Sequence, residues 1–196
     1  MSLIARLSER SWEPASDRLE PPDRPSAGAV GLSAYAVVMG VMFSLLVAAY
    51  VMRMGLHAAM GHADDWVAMP DPPLLWINSA VLAMSSVAWE VARRAGSADR
   101  ATKASVVAAA LGLCFLGGQW LLWRHYQAEG YYLSRNPANA FFYLLTALHG
   151  LHIVGGLVAA GWVLAVRELR AIRLCALYWH LLLLIWIPIA ALLLLT

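Results

Sequence analysis

Charged residues are scarce in this sequence. Only 13% of the 196 residues are Asp, Glu, Lys or Arg, whereas 61% are hydrophobic. A soluble globular domain is typically about a quarter charged and about half apolar. So large an apolar excess cannot be buried in one water-soluble core of this size, and the composition therefore predicts an integral membrane protein. The net charge of +2 is too small to indicate a nucleic-acid partner.

Cysteine is also scarce, and no Cys-x-x-Cys pair is present. Cys114 and Cys175 lie far apart, inside or at the end of apolar runs, which predicts two small buried side chains rather than a disulfide or a zinc site. Residues 1–27 contain no apolar segment that would form the centre of a signal peptide. They are rich in Pro, Ser, Glu and Arg, and we expect a flexible cytoplasmic tail ahead of one membrane domain at 28–196.

Five continuous apolar runs are each about as long as the roughly 20 residues that a membrane-spanning helix needs. They lack the two-residue alternation of a membrane barrel strand. The sequence therefore predicts an all-α fold, an integral membrane bundle of five transmembrane helices. The predicted spans are Ala29–Met52, Leu74–Ala92, Ala104–Trp123, Ala140–Val166 and Leu174–Leu195.

The basic residues predict the orientation of these spans. Eleven of the 14 Lys and Arg residues lie in the tail, the second-to-third loop and the fourth-to-fifth loop, which five alternating spans place on one side. Only Arg53, Arg124 and Arg135 lie on the other side. Because loops rich in Lys and Arg stay in the cytoplasm, we expect a cytoplasmic N-terminus and a periplasmic C-terminus.

Carboxylates are nearly absent from the predicted spans. Glu90, at the cytoplasmic end of the second span, is predicted to pair with Arg93 and Arg94. No carboxylate remains near the midplane and no internal repeat is present, which argues against a proton pump or an ion-coupled transporter. One outer loop has a cluster that could hold a divalent metal, although a solvated loop is the simpler interpretation: His57, His62, Asp64 and Asp65.

Three histidines lie inside the predicted spans. In "ALHGLHIVGG", residues 147–156, His149 and His152 share a helix face with Gly156 and Ala160. Gly156 and Ala160 form a small-xxx-small pair that lets a neighbouring backbone approach closely. The imidazoles are therefore expected to face another helix, where their N–H groups find partners away from lipid.

A third histidine, His180, leaves a haem site open as an alternative. At about 1.5 Å per residue, His152 lies roughly 18 Å below the outer start of the fourth span and His180 roughly 9 Å above the inner start of the fifth. In a hydrocarbon core of about 30 Å the two could meet at one depth and ligate a b-type haem. A hydrogen-bonded structural pair or a lipid contact is the simpler interpretation.

The segment "FFYLLTALHGLHIVGG", Phe141–Gly156, resembles the signature of haem-copper oxidase subunit III. Three further segments resemble other helices of that family in the same order: "LLWINSAVLAMSSVAW", "LGLCFLGGQW" with Gln119, and "LYWHLLLLIW" with Trp179 and His180. The resemblance as a whole extends over all five spans. Five spans correspond to the shorter bacterial form. The family also places its C-terminus outside, as the basic residues independently predict.

This resemblance implies a non-catalytic subunit of a bacterial terminal oxidase of the inner membrane, a complex that couples oxygen reduction to proton translocation in aerobic respiration. The chain itself would bind no cofactor except phospholipid. Haem and copper would belong to partner subunits, with subunit I as the main contact beside subunit II and others. The residues expected in helix packing and lipid binding are Gln119, His149, His152, Gly156, Trp179, His180, Arg124, Arg135 and Arg173.

The sequence also departs from the family pattern at three places. Leu45, Leu122 and Leu183 stand where the family usually has a carboxylate. Any role of those groups in proton uptake or lipid contact is therefore not expected here. The loss also fits a subunit III-like accessory protein of a nitric oxide reductase, which stays an alternative beside the small b-type cytochrome that would use His152 and His180.

Overall fold

The computed structural model describes residues 26–60, 70 and 72–195, and these form five α-helices and no strand. All five helices are long and apolar enough to cross a membrane, which confirms the predicted all-α bundle. Most of the predicted tail, and the side chains of the 57–65 cluster, lie outside the described residues. The helices are α1 (Ala27–Met60), α2 (Pro73–Arg94), α3 (Ala98–Ala128), α4 (Pro137–Val166) and α5 (Leu169–Leu195).

The helices run past the predicted apolar spans because backbone hydrogen bonding continues through flanking polar residues. Helix α3 begins at Ala98, six residues before the predicted start, and its first turns carry an ion pair of 2.8 Å between Lys103 Nζ and Asp99 Oδ2. A pair spaced i, i+4 of this kind supports an exposed helical turn.

Local residue choices determine where α4 begins and ends. The Asn136 side chain accepts a 2.9 Å hydrogen bond from the Ala138 N–H, and Pro137 occupies the first turn. Asn136 is therefore the N-cap, whereas the Asn139 side chain donates to the Tyr132 carbonyl. At the other end Arg167 adopts a left-handed conformation (φ 58°), so the chain turns and starts α5 at Leu169.

Helix α5 is the central helix, since it packs against all four others, while α1 lies at the periphery against α4 and α5. Only 11% of the membrane window of α1 is buried, compared with 33–39% for the other helices. The start of α1, the α2–α3 connection and the α4–α5 connection lie together at what we call the basic end, which carries Arg93, Arg94, Arg100, Lys103, Arg167, Arg170 and Arg173.

The two cysteines are not alike. Cys175 is buried, as predicted, but Cys114 is exposed, so the prediction of two buried side chains is wrong for Cys114. Its position on α3 follows from helical spacing: Phe115 and Gly112 point into the bundle, and Cys114 lies on the outer face between them. Both thiols are free.

Candidate functional site

Trp179 of α5 is enclosed by two glycines from neighbouring helices. The indole is 0% exposed. A β-carbon placed on Gly112 of α3 would lie 2.6 Å from its Cζ2 atom, and one on Gly156 of α4 would lie 2.9 Å from its Cζ3 atom. We call Gly112, Gly156 and Trp179 the Trp179 pocket. Gly156 does permit a close approach to α4, as predicted. The group that approaches is the Trp179 side chain, however, and not the backbone of a neighbouring helix.

A set of buried polar side chains crosses the centre of the bundle. Asn78 of α2 donates to Gln119 of α3 at 3.4 Å, and both are at least 97% buried. The neighbouring Gly118 is in direct contact with the Asn78 carboxamide. Trp123 Nε1 donates to Thr146 Oγ1 at 3.1 Å, which joins α3 to α4. These bonds connect three helices where lipid offers no competing partner.

The two histidines of α4 face different neighbours. His149 is completely buried, with ring centroids 5.0 Å from Trp186, 5.9 Å from Phe115 and 6.2 Å from Phe43. His152 is only partly buried and faces α1, with its ring 5.5 Å from that of Phe43. Ile153, rather than His152, continues the buried line from His149. The single predicted histidine stripe therefore splits into a central and a peripheral imidazole.

His152 makes hydrogen bonds through both its ring and its backbone carbonyl. Its Nδ1 lies 2.6 Å from the Leu148 carbonyl oxygen, so Nδ1 carries the proton and donates. Its carbonyl oxygen accepts a 2.8 Å bond from the Tyr178 hydroxyl of α5. The residue thus links α4 to both α1 and α5.

His180 takes part in an ionic cluster with α2. Its Nε2 lies 3.1 Å from Glu90 Oε2 and its Nδ1 lies 2.5 Å from the Ser86 hydroxyl. Arg93 donates to both carboxylate oxygens of Glu90, at 2.7 and 2.6 Å, and Arg94 also contacts Glu90. The predicted pairing of Glu90 with both arginines is confirmed. The sequence did not predict the histidine contact, which joins the last turns of α2 to the middle of α5.

We name Ser86, Glu90, Arg93, Arg94 and His180 the Glu90 cluster. With the Ser86 hydroxyl donating to Nδ1 and Nε2–H donating to the carboxylate, a neutral imidazole satisfies both contacts. The hydrogen bonds of this cluster connect the central helix α5 to the last turns of α2.

This geometry does not bring His152 and His180 to one haem site. His152 faces α1 and His180 faces α2, and both ring nitrogens of His180 already have polar partners. An iron ligand needs a free ring nitrogen. Among the described residues, no three His, Cys, Asp or Glu side chains are grouped as a metal site requires.

Two apolar grooves separate α1 from the rest of the bundle. The basic groove, of about 580 Å³, lies at the basic end between α1, α4 and α5. Its wall includes Tyr35, Gly155, Ala159, Trp162 and Tyr178, with Glu168 and Arg170 also lining it. The distal groove, of about 690 Å³, lies between α1 and α5 and is lined by the Gly40, Ser44 and Ala48 stripe opposite Pro188.

Neither groove is lined by Arg124, Arg135 or Arg173, the three arginines expected to contact lipid phosphate. Arg124 lies over the Trp120 ring, 5.4 Å from its centroid, and Arg135 Nη1 donates to the Gly130 carbonyl at 3.1 Å. Arg173 is exposed at the basic end. Their contact with lipid stays a prediction. Arg170, which the sequence did not single out, is the basic residue that borders a groove.

The three leucines at the lost carboxylate positions occupy different environments. Leu122 is 0% exposed, Leu183 is partly buried, and Leu45 is 65% exposed on the outer face of α1. A carboxylate at 122 would be buried in an apolar interior, which is costly without a partner.

Comparisons with known proteins agree with the sequence resemblance. The chain is 29% identical over 183 residues to cytochrome c oxidase subunit 3 of Thermostichus vulcanus, covering 87% of this chain and 88% of that protein. It is 27% identical over 170 residues to cytochrome bo(3) ubiquinol oxidase subunit 3 of Pseudomonas aeruginosa, covering 80% and 79%. A probable cytochrome c oxidase subunit 3 of Nocardia farcinica is 30% identical over 89 residues, 41% of this chain and 44% of that protein. No family model matches the chain.

Proposed function

We propose that this chain, whose homologues are the third subunits of respiratory terminal oxidases, is subunit III of a bacterial haem-copper oxidase in the inner membrane. The observation that carries the proposal is the similarity to an oxidase subunit 3 over 87% of the chain. The two long matches bear the names of a cytochrome c oxidase and a ubiquinol oxidase, so the proposal covers either electron donor.

In this proposal the chain has a structural rather than a catalytic part in oxygen reduction. The Trp179 pocket and the Glu90 cluster hold α5 against α2, α3 and α4, which gives a rigid bundle. The outer faces of the helices carry large apolar side chains, among them Val37, Val38 and Leu45 on α1. These faces would contact lipid on one side and subunit I, with its haems, on another, with subunit II and other oxidase subunits in the same complex.

Copurification tests this proposal. A tagged chain extracted from its native membrane with mild detergent is expected to bring down a larger haem-bearing polypeptide, and the purified complex is expected to consume oxygen. An unrelated multi-pass protein with the same tag serves as the control. Recovery of the chain alone and colourless contradicts the proposal. Reduction of nitric oxide in place of oxygen would support the nitric oxide reductase alternative.

Phospholipid is the ligand we propose for the basic groove. Its lining is mostly apolar, its volume lies in the range of single-ligand sites, and Arg170 provides a cation where the groove meets the basic end. An acyl chain would lie along Tyr35 and Trp162, and the lipid phosphate would lie near Arg170. This arrangement follows the usual position of cationic side chains at the membrane interface.

Filling the basic groove is expected to displace this lipid. Gly155 lines the groove, and a β-carbon there would meet only the Tyr178 hydroxyl, at 4.0 Å, so Gly155→Leu adds its side chain at the groove wall without a clash at the β-carbon. The lipid retained per purified complex, measured by mass spectrometry, should fall by about one molecule. Gly161→Leu is the matched control, because it adds the same side chain to α4 in open space. Equal lipid content in both variants would contradict the assignment of the groove.

A further inference from the structure

Six buried side-chain atoms of the described residues have no hydrogen-bond partner. Three of them are Nε2 of Gln119 and both ring nitrogens of His149, and the other three are the indole nitrogens of Trp89 and Trp179 and Oδ1 of Asn139. Gln119 is 3% exposed and His149 is 0% exposed. Buried polar groups of folded proteins are almost always paired, with protein or with ordered water. The unpartnered nitrogens of Gln119 and His149 therefore point to a ligand that both side chains bind.

The register of α3 against α4 places the two side chains opposite each other. The helices run antiparallel, and three contacts set their alignment. Trp123 bonds Thr146 at 3.1 Å, and the β-carbon positions of Gly150 and Gly112 lie 3.7 Å from Leu116 and 3.4 Å from Leu157 respectively. Gln119 is one turn from Trp123, and His149 is one turn from Thr146 in the matching direction. Both residues consequently occupy the same level of the interface.

The protein groups around His149 offer its ring nitrogens no hydrogen-bond partner. The ring is surrounded by Phe43, Phe115 and Trp186, whose ring faces and edges pack against it. The Trp186 N–H is already committed to Ser79 Oγ at 2.9 Å.

We propose that Gln119 and His149 together bind one internal water molecule between α3 and α4. A carboxamide nitrogen is a donor, and a neutral imidazole has one N–H and one bare nitrogen. The water accepts from Gln119 Nε2–H and donates to the bare nitrogen of His149. Buried waters typically make about three such bonds, and they bind where several polar groups converge in an otherwise closed interior.

High-resolution cryo-electron microscopy of the chain, in whatever assembly it is isolated with from its native membrane, tests this site. We expect a density peak at hydrogen-bonding distance from both Gln119 Nε2 and a ring nitrogen of His149. A direct bond between the two side chains overturns the proposal. So does an empty interface in a map that shows other buried waters.

Variants provide a second, independent measurement. Gln119→Leu and His149→Phe each leave one side of the site unsatisfied, so each should lower the thermal midpoint of the isolated assembly. The double variant should lose less than the sum of the two, since neither partner then remains unpaired. Gln127→Leu with His149→Phe is the control pair, because Gln127 is exposed at the far end of α3, and its effects should add. Additive losses for the Gln119 and His149 pair overturn the proposal. Where Gln119→Leu or His149→Phe does not assemble, the cryo-electron microscopy map of the unmodified chain decides.

Discussion

Gly112→Ala is expected to destabilise the bundle by about 1–3 kcal/mol, although alanine is the better helix former. The added methyl group would lie 2.6 Å from the indole of Trp179, which is completely buried and cannot move aside without displacing Gly156 of α4. Overpacking therefore outweighs the gain in helix propensity. The measurement is the thermal midpoint of the purified assembly in detergent.

Gly117→Ala provides the matched control for this result. Gly117 lies on the same helix, five residues away, and a β-carbon there meets no atom within 4 Å. Its substitution should leave stability unchanged or raise it by up to about 1 kcal/mol. Combining Gly112→Ala with Trp179→Phe should recover part of the loss, because the smaller ring vacates the contact. Equal midpoints for both glycine variants would show that the Trp179 pocket is not tightly packed.

Glu90→Ala is expected to destabilise the protein by about 1–3 kcal/mol, because it leaves Arg93, Arg94 and His180 without their shared acceptor. The Glu90 side chain is 24% exposed, so solvent screens part of the interaction and the larger cost of a fully buried pair does not apply. Glu90→Gln, which keeps an acceptor oxygen for His180, should lose less. Chemical or thermal unfolding of the purified assembly measures both.

The Asp99–Lys103 pair of α3 is the control for the Glu90 prediction. Both of its side chains are more than three-quarters exposed, and the pair lies within one helix, so Asp99→Ala should cost far less stability than Glu90→Ala. A similar loss for Asp99→Ala and Glu90→Ala would mean that the contact with α5 contributes nothing to stability.

The sequence predicted the five helices because their signal is local. Each span is a continuous apolar run, and the Asn136–Pro137 start of α4 lies in adjacent residues. The ends were less predictable, since a helix such as α3 continues through Asp99 and Lys103 once its backbone bonds are formed. The excess of outward-facing apolar residues also follows from composition alone.

The contacts between the predicted site residues could not be derived from the sequence. His149 and His152 are three apart in sequence, yet one faces the bundle centre and the other α1, and only the position of α1 decides this. The His180–Glu90 contact joins residues 90 positions apart. The depth of each residue in the membrane can be estimated from the sequence, but depth does not determine which helices are neighbours. Trp179 filling the space beside Gly156 likewise depends on the rotation of α5.

The peripheral position of α1 bears on how the chain is assembled in the bilayer. Only 11% of its membrane window is buried, and neither the Trp179 pocket nor the Glu90 cluster includes any of its residues. A version of the chain shortened to α2–α5 should therefore still insert and hold together as a four-helix unit. In the biogenesis of the full chain, α1 would then dock onto a bundle that α2–α5 can form without it.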